Sequence, residues 1–89
     1  MQNTQSIDPK TLKHTLWEIM RQSISAAEWE KVMKELPAHL GISKAQLKKY
    51  IYARKDGNTE LSFSKAVAIC DYFSAHFDII IMPATLFNL

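Results

Sequence analysis

The amino-acid sequence predicts a mostly α-helical domain of four to five helices followed by one short C-terminal β-strand. Three observations carry that class. Apolar residues recur at i, i+3 and i+4 along most of the chain, the spacing of helices with one buried face. Each such stretch opens on a Ser or Asp able to cap it: Asp8, Ser25, Ser43 and Ser62. Near the end, Ile79, Ile80 and Ile81 make a β-branched run closed by Pro83, which reads as a strand.

Residues 1–7 are polar and are expected to form a loose tail, without the Arg or Lys that an arm reaching a minor groove needs. The helical domain is expected over residues 8–77. Asp8 caps a first helix with Pro9 at its first position, and Leu12, Leu16, Ile19 and Met20 give it a buried face up to about Gln22. A second start signal follows at once. Ser25 and Glu28 have the spacing of a capping box, and Ile24 with Trp29 that of a hydrophobic staple, ahead of the stripe Trp29, Val32, Met33 and Leu36.

The stretch from Leu36 to Lys55 holds a Gly-Ile-Ser corner and a basic helix expected over residues 44–54. Ser43 and Gln46 have capping-box spacing, and Leu47, Tyr50 and Ile51 form one apolar stripe. Lys44, Ala45, Lys48, Lys49 and Tyr52 project from the other side of the wheel. Lys44, Lys48, Lys49, Arg54 and Lys55 are five of the 11 basic residues, and no acid lies between Ile42 and Lys55. The net charge is +2, so setting these five aside leaves −3 on the rest of the chain. Such concentration of positive charge on one short helix is the electrostatic mark of a nucleic-acid reader.

LPAHLGIS, followed by Leu47, Tyr50 and Ile51, resembles the helix-turn-helix of the lambda-repressor-like (Cro/CI, XRE) DNA-binding family. The family's apolar sites match Leu36, Leu40, Ile42, Leu47 and Tyr50, around a corner glycine at Gly41. The resemblance covers roughly Met33 to Phe73. Pro37 departs from it, standing where the family usually has alanine, and it leaves the first motif helix either kinked or restarted. The resemblance implies a dimeric regulator of transcription, of repressor or antitoxin type, that reads double-stranded DNA. Its candidate contacts are Ser43, Lys44, Ala45, Lys48, Lys49, Tyr52, Arg54 and Lys55.

Beyond the basic helix, Asp56-Gly57-Asn58 makes a turn, and Ser62 caps a last helix buried through Ala66, Val67, Ile69, Cys70 and Phe73. Trp17, Trp29, Phe63, Phe73 and Phe77 are expected in or near the core. Residues 78–89 form the strand and tail. A lone strand lacks hydrogen-bond partners, and its expected partner is its own copy in a homodimer joined through Phe77, Ile79, Ile80, Ile81 and Met82; the competing expectation is a tail folded back over its own last helix, leaving a monomer. This segment resembles the C-terminal strand that pairs subunits in HipB-type antitoxins, which also implies a possible toxin partner.

Other functions find little support. His14, His39, His76 and Cys70 share no metal-ligand spacing, the carboxylates are scattered, and two glycines cannot build a phosphate loop. Neither an enzyme nor a cofactor is expected. At 47% hydrophobic and 22% charged, with one cysteine, no membrane-length apolar run and no export-signal layout, the chain suits a reducing cytoplasm. The alternative to DNA binding is a protein-interaction module that uses the apolar tail. For Tyr52 the alternative is packing on a neighbouring loop.

Overall fold

Helices form where caps and apolar stripes coincide: α1 (Leu16–Ser23), α2 (Ala26–Leu40), α3 (Lys44–Tyr52) and α4 (Phe63–Phe77). The computed structural model describes residues 8–87; the expected loose tail, residues 1–7, lies outside them, as do residues 88 and 89. Short 3-10 turns at Pro9–Thr11 and Pro83–Leu86 flank the helices. The mostly α class is as expected. α2 packs against both α3 and α4, and α1 against α3. Leu16, Met20, Val32, Leu36, Leu47, Ile51, Ile69, Phe73 and Leu86 are fully buried at the centre. Trp29, Leu40 and Ile42 pack around that centre, half-buried.

The first helix begins later than expected. Asp8 does cap a helical turn, its side chain accepting from the Lys10 N–H, but this turn is the short 3-10 one. Residues 12–15 then stay out of the helix because distant segments take their backbone groups. Lys13 N–H donates to Ala53 O (2.7 Å), Lys55 N–H to Thr11 O (2.9 Å) and Thr15 N–H to Leu86 O (2.8 Å). Leu12 and His14 both point inward from this segment, two residues apart as in a strand, and form single antiparallel bridges to Arg54 and Phe87.

α2 starts on a complete capping box: Glu28 N–H donates to Ser25 Oγ (3.2 Å), and Ser25 N–H to Glu28 Oε1 (2.8 Å). It runs without a break through Pro37, so no helix restarts there. It ends at Gly41, whose φ of 71° is left-handed, while Ile42 N–H returns to Pro37 O at 2.9 Å. A Cβ at Gly41 would touch nothing within 4 Å. Glycine is needed here for its backbone freedom alone.

α4 is tied to α2 by Tyr72, whose hydroxyl donates to Glu35 Oε1 at 3.1 Å. Burial and that bond push the phenol up to about 12. Phe63, expected in the core, stands 62% exposed at the helix start, and Val67 is only half-buried.

The expected strand over residues 78–83 is not formed, and no sheet exists among the described residues. Asp78 takes a left-handed φ of 58° and ends α4, with Ile79 N–H on Phe73 O (3.2 Å). The β-branched run takes no regular secondary structure, and no neighbouring strand lies beside it among the described residues. Ile79 and Ile81 lean on the core while Ile80 and Met82 face solvent, 77% and 67% exposed. Pro83 then opens the 3-10 turn that brings Leu86 into the core and Phe87 beside His14. The described tail, up to Phe87, thus folds against its own domain.

Leu47 is fully buried where α3 meets its neighbours. Leu47→Ala is expected to cost about 2–5 kcal/mol in urea unfolding. A loss below about 0.5 kcal/mol, the level of surface substitutions, would place Leu47 outside the core.

Candidate nucleic-acid interface

Ser43 sets the start of α3, its Oγ accepting the Gln46 N–H at 3.0 Å. Helical periodicity then divides the element. Leu47, Tyr50 and Ile51 are buried, whereas Lys44, Ala45, Lys48, Lys49 and Tyr52 are exposed. Among the described residues the ion pair is Lys13 with Glu60 (3.6 Å), and the α3 lysines take part in none. They are exposed and without an ion-pair partner among the described residues.

Arg54 and Lys55 are not on the helix, which stops at Tyr52 rather than running to residue 54. Buried Ala53 turns the chain away, because its carbonyl accepts from Lys13 N–H. Arg54 and Lys55 instead flank a shallow concavity shared with Lys10, Thr11 and Asp56. The candidate cations therefore divide into a helix face and a separate corner. Lys10 joins that corner from far away in sequence, and no local signal marks it.

A second feature escapes the sequence. Between α2 and α3 lies a groove of about 710 Å³, lined by Trp29, Glu30, Met33, Lys34 and Pro37 on one side and Lys44, Lys48 and Tyr52 on the other. Tyr52, 43% exposed, borders this groove.

Comparison with protein-family models, curated proteins and solved structures returns no match. The functional reading rests on the chain's own residues.

His14 fixes the end of α3. Its Nδ1 lies 3.0 Å from Tyr50 O, and since a carbonyl only accepts, Nδ1 carries the proton and donates. Tyr50 O is among the last carbonyls of α3 and lacks a helical donor, so His14 satisfies an orphan group. The imidazole also meets the Tyr50 and Phe87 rings edge-on, at 6.4 and 5.9 Å between centroids. His39 and His76 flank Tyr72 elsewhere, and among the described residues no three His, Cys, Asp or Glu side chains form a metal-binding group. Cys70 is buried, and burial pushes its thiol up, away from the reactive thiolate.

Burial holds the His14 imidazole below its ordinary value of 6.5, against the smaller opposing effect of the Tyr50 carbonyl. Below that ordinary value the unfolded chain binds a proton that the folded chain resists. The stabilisation from neutral His14 is therefore complete above about pH 6.5 and is lost as pH falls through the window beneath it. Urea midpoints are expected to drop between about pH 7.5 and 5.5, and His14→Gln should flatten that drop. An equal drop in the variant would show that His14 does not drive it.

Proposed function

We propose that this chain is a sequence-specific DNA-binding regulator of the lambda-repressor-like kind, of repressor or antitoxin type, that lays α3 in the major groove of duplex DNA. The observation that carries the reading is the division of α3 itself. Its apolar edge is buried, and three lysines without ion pairs share the opposite, exposed face with Ala45 and Tyr52. The unbroken α2, the left-handed Gly41 corner and the capped start of α3 support helix-turn-helix docking.

In this reading Ser43 and Lys44 hold phosphates at the helix start, while Ala45, Lys48, Lys49 and Tyr52 face base edges. Arg54, Lys55 and Lys10 form a second phosphate-holding corner. A reduced Cys70 and work on DNA suit the cytoplasm, and no described helix is long and apolar enough to cross a membrane. In a duplex-binding titration, Lys48→Ala with Lys49→Ala should weaken binding. Lys44→Ala, at a phosphate contact, should also take about 0.9 from the slope of log affinity against log salt. Unchanged affinity and slope would sink the assignment.

One helix reads too few base pairs to select a genomic site, so the regulator acts as a homodimer with two α3 helices about 34 Å apart. The outward side chains Ile80 and Met82 supply an apolar contact for a second copy in place of a paired strand. Sedimentation should give a dimer at tens of micromolar, and Ile80→Glu with Met82→Glu should return monomer. A wild-type monomer at that concentration would refute this contact.

A further inference from the structure

The groove between α2 and α3 joins two stripes of opposite character. Trp29, Met33 and Pro37 follow one another at i, i+4 and i+8 on α2, a single apolar row. Lys44, Lys48 and Tyr52 repeat that spacing on α3 and make the facing wall cationic. Lys34 adds a third positive charge to the rim against one acid, Glu30. Each row spans about two turns of its own helix, roughly 12 Å.

We infer that this groove is a docking site for an acidic, amphipathic polypeptide segment, with its apolar residues on the α2 wall and its carboxylates on the lysines. Charge complementarity requires an anionic occupant, and the apolar wall selects among anions. A phosphate backbone would match Lys44 and Lys48 but leave Trp29, the half-buried member of a row in which Met33 and Pro37 are buried, against polar atoms. An amphipathic segment with apolar anchors one helical turn apart satisfies both walls. Because Lys44, Lys48 and Tyr52 belong to both sites, such a segment excludes duplex DNA. The exclusion rests on the DNA reading proposed above, whereas the docking does not.

The probe is a synthetic Glu-rich peptide with Phe and Leu one helical turn apart, titrated into the isotope-labelled full chain without DNA. Amide shifts are expected at Trp29, Met33, Lys34, Lys48 and Tyr52. Replacing the peptide's Phe and Leu by Ala should weaken binding by about tenfold or more. Lys34→Ala should weaken it about twofold to fivefold. Lys49 lies outside the groove, and Lys49→Ala should leave the peptide affinity unchanged. Three results would overturn the docking site: no shifts at about millimolar peptide, shifts centred elsewhere, or binding indifferent to loss of Phe and Leu. A second arm titrates duplex DNA alone. Peptide bound and DNA not bound upholds the docking and rejects the DNA reading; DNA bound and peptide not bound does the reverse. Where both bind, displacement of DNA by the peptide supports the shared site, and simultaneous binding rejects it.

Discussion

Burial of one edge of α3 decides which of its side chains meet the core and which meet solvent. Leu47 and Ile51 are fully buried and Tyr50 nearly so, in a helix of nine residues. So short a helix is marginal in isolation, and its stability comes from packing that edge. Once the edge is fixed against α1 and α2, the 3.6-residue period leaves Lys44, Lys48 and Lys49 no inward alternative. The exposed basic face is a consequence of the core. Loss of core packing would therefore disturb the face without touching a lysine.

The two ends of α3 are held by different physics. At its start the corner is conformational: Gly41 supplies the left-handed residue and Ser43 caps the next turn. At its end the control is non-local. His14 takes the Tyr50 carbonyl, Lys13 N–H takes the Ala53 carbonyl, and Leu86 and Phe87 close over the same region. Lys13 Nζ also donates to Gly57 O (2.9 Å) and Thr59 O (2.8 Å), tying down the loop that follows. The segment before α1 thus serves as a clasp between the end of α3 and the tail of the chain.

What was legible in the sequence was what short-range chemistry decides. The caps at Ser25, Ser43 and Ser62, the Gly41 corner and the stripe Leu47–Tyr50–Ile51 are all local patterns, and all stand in the structure. In residues 12–15, Leu12 and Leu16 fit a helical spacing as well as a strand-like one, and partners 40 or more residues away settle the choice. The Ile79–Ile81 run is β-branched, but that preference does not make a strand without a neighbour. Of the candidate contacts, those on α3 were readable from its wheel. Arg54 and Lys55 depended on where the helix ends, and that is set by Lys13. The groove was invisible because its apolar row and its cationic row lie on different helices.

If paired α3 faces read a DNA sequence, selection from random duplex DNA with the full chain enriches a site with two related half-sites about one helical turn, roughly 10 base pairs, apart. A pool that stays random after repeated selection, with retention that merely fades as salt rises, would contradict that reading and leave only non-specific attraction to phosphate.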